Sequence, residues 1–195
     1  PALVSRSAAG RAKRIGFLKA AVDVAAAVGA DSVAIWSGAA DDNASENALQ
    51  ERLTGALSEV LAHAESAGVR LSFEPEPGMF IDTMARFQDL MKRVNHPLLG
   101  LTLDIGHVHC LNDGNLRDHI RRWRHVLWNV HLDDMRRNVH EHLMFGEGEV
   151  DFDSVFDALF EVDYAGPVHV ELPRHSHNAV ETARLAHEFL TRCVN

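Results

Sequence analysis

Glutamate, aspartate and histidine residues recur at the points where short apolar stretches of this sequence end. They are Glu74 in LSFEPEPG, Asp104 and His107 in LTLDIGH, His131 in WNVHLDD, and Glu171 in VHVEL. In a parallel α/β barrel the carboxyl ends of all strands meet at the face that holds the active site. Four strand ends that deliver Glu, Asp, His and Glu would form an oxygen-rich site with one imidazole. That donor set suits a divalent metal ion such as Mn²⁺, Mg²⁺, Co²⁺ or Zn²⁺.

The elements that must position these residues alternate between strand and helix along the chain. Short apolar stretches predict five strands, at 31–36, 69–74, 98–105, 126–132 and 168–172. Apolar residues at helical spacing predict six helices, at 9–28, from the polar segment 41–47 to about 67, from Asp82 or Thr83 to 94, and at 114–124, 152–162 and 177–193. Residues 133–150 are rich in His, Gly and Glu and predict a loop. This alternation predicts a parallel sheet with helices outside it.

The number of strands sets an expectation for the architecture. A closed eight-stranded barrel typically needs about 250 residues, whereas this chain has 195. We predict an α/β fold in which residues 1–195 form a single barrel domain that lacks the first three strands. An open barrel exposes a strand edge, which favours association with further copies of the chain.

Composition excludes several classes of protein. The 19 basic and 28 acidic residues give a formal charge of −9, so bulk attraction to nucleic acid is not expected. The sequence contains no apolar run long enough to span a membrane, and its start lacks the order of a signal peptide. The two cysteines, Cys110 and Cys193, do not form a disulfide framework or a CxxC metal site. We therefore expect a cytoplasmic protein.

Six motifs occur in an order that resembles a known family. GADSVAIWSG, LSFEPEPG, LTLDIGH, NVHLDD, FGEGEVDF and GPVHVEL are similar to the sugar phosphate isomerase/epimerase superfamily, the xylose isomerase-like TIM (β/α) barrels. The likeness covers the last five of eight strand–helix units. Members of this superfamily include ketose 3-epimerases, inosose isomerases and dehydratases, dehydroshikimate dehydratases and type IV apurinic-site endonucleases.

The resemblance implies a role for each strand-end residue. One divalent metal ion would be held by four residues, Glu74, Asp104, His131 and Glu171. Glu74 and Glu171 would also exchange protons with substrate from opposite faces, and His107 would face the substrate. Gly146 and Gly148 match a GxG that precedes the last crossover helix, where the backbone approaches the site.

The chemistry implied is proton abstraction next to a carbonyl of a small sugar, sugar phosphate or polyol ketone, through a metal-stabilised enediolate. Reprotonation on the opposite face gives an epimerase, and proton return to the adjacent carbon gives an isomerase. Loss of a β-hydroxyl gives a dehydratase of the inosose or dehydroshikimate type. Strands that are not present would supply part of the substrate wall, so this chain alone can be inactive.

Alternatives remain open for some of these residues. Glu76 could be the ligand in place of Glu74, because residues two apart on a strand point the same way. Asp104 could only cap the helix that follows it. Asp133 and Asp134 could orient the strand-end imidazole through its second nitrogen.

Four further residues are candidates with weaker signals. In the apurinic-site endonuclease branch, an acidic residue and a histidine before the GxG bind additional zinc ions, and His140 and His142 stand at those positions. A multi-zinc phosphodiesterase is therefore the alternative function. Arg137 could hold a substrate hydroxyl or phosphate, or could be a solvated loop residue. Trp36 could form an apolar wall of the pocket or belong to the core.

Overall fold

The computed structural model describes residues 1–193, which form two compact units that divide between Thr102 and Leu103. In chain order the α-helices and strands are α1 (Ala8–Val28), β1 (Ser32–Ile35), α2 (Glu46–Ala67), β2 (Arg70–Phe73), α3 (Met84–Val94), β3 (Leu99–Asp104), α4 (Ile105–Cys110), α5 (Leu116–Trp123), β4 (Leu127–Leu132), β5 (Asp134–Arg136), β6 (Val139–Leu143), α6 (Phe152–Glu161), β7 (Val168–Val170) and α7 (Ala179–Cys193). A 3₁₀ helix, Pro173–Asn178, precedes α7. The prediction of one domain over residues 1–195, the last two of which lie outside the described range, stays a prediction.

The first unit contains three parallel strands in the order β1, β2, β3. Ser32 to Ile35 pair in register with Arg70 to Phe73, and Leu71 to Phe73 pair with Leu99 to Leu101. The backbone amide of Glu74 continues this ladder by donating to the carbonyl oxygen of Ile35 at 2.8 Å. Because α2 connects β1 to β2, this unit has the strand–helix–strand crossover that a parallel sheet requires.

Local capping explains where the two long helices begin and end. Ser7 and Ser45 accept hydrogen bonds from backbone amides in the first turns of α1 and α2. Gly29 and Gly68 follow the last turns with φ of 71° and 69°, a left-handed conformation that favours glycine. Apolar stripes on both helices are buried in the core, as the helical spacing predicts.

Helix α3 packs an amphipathic face into the core of the first unit. Thr83, rather than Asp82, caps it by accepting from the amide of Arg86 at 3.3 Å. Phe87 is fully buried, with its ring centroid 6.1 Å from that of Phe73 on β2. This contact ties the helix to the strand that leads to Glu74.

In the second unit the end of β3 is followed in the sheet by β4 and β7. Strands β4 and β7 are parallel, with Val130 to Leu132 in register with Val168 to Val170. The amide of Glu171 donates to the carbonyl oxygen of Leu132 at 2.9 Å, so the pairing extends one residue beyond β7. Asp104, His131 and Glu171 therefore stand at or near the carboxyl ends of three parallel strands.

The segment 133–150 is not the loop that the sequence predicts. It contains an antiparallel hairpin in which Asp134 of β5 pairs with Leu143 of β6, and Arg136 pairs with Val139. Asn138 makes the turn with φ of 63°, a conformation that asparagine tolerates better than most residues. The hairpin strands are only three and five residues long and mostly polar, so their sequences lack the apolar pattern that would distinguish them from a loop.

Short helices account for the other differences. Helix α4 follows β3 directly and was not predicted as a separate element. The predicted C-terminal helix at 177–193 instead begins with the 3₁₀ turn and continues as α7. Across residues 1–193, none of the helices combines the length and apolar character needed to cross a membrane.

Candidate metal centre

Asp104 is positioned by a fully buried strand and by the helix that starts after it. All six residues of β3 are buried, and Asp104 itself is 2% exposed. Its Oδ1 accepts from the amide of His107 at 2.9 Å and so caps α4. Its second oxygen, Oδ2, lies 3.8 Å from Nε2 of His107. Capping therefore uses Oδ1, while Oδ2 faces the imidazole of His107.

His131 and Glu171 lie close together because β4 and β7 are paired: His131 is in register with His169, and Glu171 follows two residues later on the same face. Nδ1 of His131 is 2.7 Å from Oε2 of Glu171. This close contact with the imidazole lowers the pKa of Glu171, although partial burial of the carboxyl opposes the shift. Glu171 is therefore a carboxylate at neutral pH and can act as an anionic ligand or as a proton acceptor.

Asp104, His131 and Glu171 form what we call the Asp–His–Glu trio. One ligand atom from each lies within 4.8 Å of the other two. Ligand atoms that bind one small cation at about 2.0–2.2 Å are roughly 3–4 Å from one another. Small side-chain movements would therefore bring these three ligand atoms to bonding distance of a single ion. Two carboxylates and one imidazole fit a divalent cation, whose charge would offset the burial of the carboxylates.

Asp134 holds the segment that follows the hairpin rather than the imidazole of His131. Its Oδ2 accepts from the amides of Gly146 and Gly148 at 2.8 and 2.9 Å, and its Oδ1 accepts from the amide of Val150 at 3.0 Å. A Cβ atom at Gly148 would overlap this carboxylate. The second glycine of GxG, Gly148, is therefore needed to make room for Asp134. The prediction that Asp134 orients His131 is wrong, because both of its carboxylate oxygens accept from these backbone amides.

Asp133 faces a different histidine from the one expected. Its Oδ2 lies 2.5 Å from Nδ1 of His142, and its side chain is completely buried. Burial raises the pKa of Asp133, and the neighbouring His142 only partly offsets that effect. A Cβ atom at Gly106 would overlap the Asp133 carboxylate, so the glycine of DIGH makes room for this contact.

His107, His140 and His142 form a second group, which we call the three-histidine cluster. His140 and His142 project from one face of β6, since residues two apart on a strand share a face. The ring centroid of His107, on α4, lies 5.0 and 5.7 Å from those of His140 and His142, and one ring nitrogen from each histidine falls within 4.8 Å of the others. Partial desolvation of the ring by its neighbours, together with the adjacent His142, lowers the pKa of His140, which favours a neutral imidazole that is able to bind a metal.

Arg137 lies in the hairpin turn and lines a cavity of about 210 Å³ that includes none of the trio. Its guanidinium donates to the side-chain oxygen of Asn112, and its backbone amide donates to Glu149 at 3.1 Å. His109 also lines this cavity, with Nε2 3.6 Å from Oε2 of Glu149. The interpretation of Arg137 as a substrate-binding residue stays a prediction.

The first unit contains the two remaining predicted residues. Glu74 directly follows β2 and is 4% exposed, whereas Glu76 is half-buried. Trp36 directly follows β1 and is 39% exposed, and the guanidinium of Arg14 stacks 5.2 Å from its ring centroid. Glu74 is thus the more buried of the two glutamates, and its role as a metal ligand in place of Glu76 stays a prediction.

A family model described as the xylose isomerase-like TIM barrel matches residues 1–193. The chain belongs to this family, and the predicted fold class is confirmed. The crystal structure of the IOLI protein with a bound zinc atom superimposes with a TM-score of 0.82 at 22% identity, over 97% of this chain and 72% of that one. At this level of identity the likeness concerns the fold.

Two curated relatives are sugar- or polyol-acting enzymes. L-Ribulose-5-phosphate 3-epimerase UlaE of Shigella flexneri is 25% identical over 170 residues, which are 87% of this chain and 60% of that protein. Inosose dehydratase of Lactiplantibacillus plantarum is 29% identical over 150 residues, which are 65% of this chain and 48% of that protein. The chain thus spans about half to three fifths of the length of these relatives.

Proposed function

We propose that this chain carries the metal-binding side of a divalent-metal-dependent sugar or sugar phosphate epimerase or isomerase. The observation that supports this best is the Asp–His–Glu trio at the carboxyl ends of β3, β4 and β7. Similarity to a ribulose phosphate 3-epimerase and to an inosose dehydratase supports a small sugar or polyol ketone as substrate. A related dehydratase reaction would use the same first proton transfer.

The ligand set that we propose has four members. Asp104, His131 and Glu171 contribute one imidazole nitrogen and carboxylate oxygens from the second unit. Glu74 is proposed as the fourth ligand because its motif, LSFEPEPG, matches the family pattern and because its carboxylate is buried. A divalent cation bound there would polarise the substrate carbonyl and stabilise the negative charge that develops on its oxygen.

Proton transfer falls to the two glutamates. A carboxylate that binds a divalent cation is held in its ionised form, so Glu171 would be able to accept a proton from the carbon next to the carbonyl. We assign to Glu74 the complementary role on the other face of the substrate, as the family resemblance implies. Deprotonation on one face and reprotonation on the other would invert that carbon.

Metal content and hydrogen exchange together test this proposal. Elemental mass spectrometry should find about one divalent ion per chain, and that ion should be lost in His131→Ala and Glu171→Ala. His125→Ala, at an exposed histidine outside the site, is the matched control and should keep the ion. The metal-loaded protein should also exchange a carbon-bound hydrogen of a ketose or inosose with D₂O, as seen by NMR. Folded protein that binds no divalent ion at these residues would overturn the proposal.

The three-histidine cluster supports a second candidate, a multi-zinc phosphodiesterase of the apurinic-site endonuclease type. Its three imidazoles are close enough to share a second ion, and imidazole suits zinc. The formal charge of −9 counts against a DNA substrate. Two or three zinc ions per chain, reduced by one in His140→Ala, would favour this candidate over the single-metal enzyme.

A further inference from the structure

Two residues outside the proposed ligand set, Asn129 and His169, are linked to His131 through its Nε2 atom. Nδ2 of Asn129 lies 2.9 Å from Nε2 of His131, and Oδ1 of the same amide lies 2.7 Å from Nδ1 of His169. The strand geometry builds this row, because Asn129 is two residues before His131 on β4 and His169 is in register with His131 on β7. The row runs from His169 through Asn129 and His131 to Glu171.

The chemistry of an amide fixes where the protons are in this arrangement. In this orientation the amide nitrogen donates, so Nε2 of His131 would accept and its single ring proton would be on Nδ1, facing Glu171. A nitrogen that carries a proton has no lone pair for a metal ion. This arrangement fits the tautomer of His131 that pairs with Glu171, whereas a metal bound through Nδ1 requires the other tautomer.

The other tautomer can be satisfied by the same residues. If Nδ1 releases its proton to water and Nε2 takes one up, Nε2 becomes a donor and needs an acceptor. Rotation of the Asn129 amide by half a turn brings Oδ1 to Nε2 and turns the NH₂ group towards His169. The nitrogen of His169 then accepts instead of donating. Asparagine can serve both states because it carries a donor and an acceptor on one flat group.

We propose that Asn129 and His169 are positioning residues that set the tautomer of His131, and that the Asn129 amide reverses when a metal binds. This inference rests on the proposed function, since it takes Nδ1 of His131 as a metal ligand. The partner of a ligating imidazole commonly fixes its orientation and basicity. Asn129 is buried, whereas His169 is exposed. Water can therefore take over part of the hydrogen bonding that His169 provides to Asn129.

Nitrogen NMR of His131 tests the inference directly. At pH 8 the metal-free protein should show the Nδ1–H tautomer, and the Mg²⁺-loaded protein should show the Nε2–H tautomer. His131→Gln assigns the signals. Asn129→Asp, which can only accept, should favour Nε2–H even without metal, because its carboxylate needs a donor.

Mn²⁺ affinity gives the second readout. Asn129→Leu should weaken binding by about 10–100-fold, His169→Ala should weaken it less, and Asn129→Asp should keep it. Circular dichroism confirms that each variant is folded. Wild-type affinity in Asn129→Leu, or one unchanged tautomer in all metal-free variants, would overturn the inference. If the wild-type chain binds no Mn²⁺ or Mg²⁺ the proposed function fails, and the metal-free comparison of wild type with Asn129→Asp still decides the role of Asn129.

Discussion

The Asp–His–Glu trio and the three-histidine cluster are both built from residues of the second unit, but they differ in support and in donor chemistry. The trio stands at the ends of parallel strands, and two of its three residues are carboxylates. The cluster consists of imidazoles alone and depends on the short helix α4 and on the hairpin strand β6. Asp104 is 2% exposed, whereas His140 is exposed on the hairpin.

This difference indicates that the fold positions the residues of the trio more rigidly than those of the cluster. Neighbouring parallel strands share their register along several residues, so His131 and Glu171 are brought together by backbone pairing. The cluster instead needs the hairpin to hold its position, and the hairpin is held by the contacts of Asp133 and Asp134. We expect the trio to bind a metal that accepts oxygen ligands, such as Mn²⁺ or Mg²⁺, whereas any ion bound by the cluster would be one that suits imidazole, such as Zn²⁺ or Co²⁺.

The largest expected effect would come from removing a carboxylate of the trio. Glu171→Ala should weaken Mn²⁺ binding at least about 100-fold, which corresponds to roughly 2.7 kcal/mol, while any Zn²⁺ binding at the cluster should be unchanged. Isothermal titration with each metal measures this. Glu65→Ala, at an exposed glutamate on α2, is the control. Equal loss of both metals would show that the two groups act as one site.

A smaller effect is expected when the support of the hairpin is removed. Asp134→Ala leaves three backbone amides without their acceptor and should lower the free energy of unfolding by about 2–3 kcal/mol. Hydrogen exchange at Gly146, Gly148 and Val150 should become faster. Asp134→Asn keeps one acceptor oxygen and should fall between the wild type and Asp134→Ala. Unchanged exchange in Asp134→Ala would contradict the role assigned to this carboxylate.

The contact between the cluster and Asp133 gives the next prediction. His142→Ala leaves the buried Asp133 carboxyl without the imidazole and should cost about 2 kcal/mol of stability. The double variant His142→Ala with Asp133→Asn should recover part of that loss, because the buried group is then neutral. Urea unfolding measures both variants. If the double variant is no more stable than His142→Ala, the loss of stability in His142→Ala does not come from the Asp133–His142 contact.

Two glycine substitutions give the smallest expected effect. Gly106→Ala would push a methyl group into the Asp133 carboxylate and should destabilise the chain by about 1–2 kcal/mol. Gly55→Ala on α2 meets open space and should stabilise the chain by up to about 1 kcal/mol, because alanine favours a helix. Thermal unfolding compares them. Equal effects at both positions would show that Asp133 can move away at little cost.

The sequence predicts the elements that have their own local signals. Ser7, Gly29, Ser45 and Gly68 mark the ends of α1 and α2, and apolar runs mark the five parallel strands. The strand ends then place Asp104, His131 and Glu171 together, since parallel strands bring their carboxyl ends to one edge. These features depend on short stretches of chain, so a single sequence contains them.

The features that the sequence does not predict depend on distant partners. The β5–β6 hairpin is a short polar segment, and its position becomes clear only with the contacts of Asp134 to the amides of Gly146 and Gly148. The row through Asn129 follows from the register of β4 with β7, which no local pattern reveals. The N-x-H and H-x-E spacings around His131 and Glu171 are the only hint in the sequence, because residues two apart share a strand face.

Anomalous diffraction from crystals of this chain soaked in Mn²⁺ tests the central claim most directly. We predict a manganese peak at about 2.0–2.3 Å from Asp104, His131 and Glu171, a typical bonding distance for oxygen and nitrogen ligands. No peak at these three side chains, or manganese bound only at His107, His140 and His142, would contradict the assignment of the Asp–His–Glu trio as the metal centre.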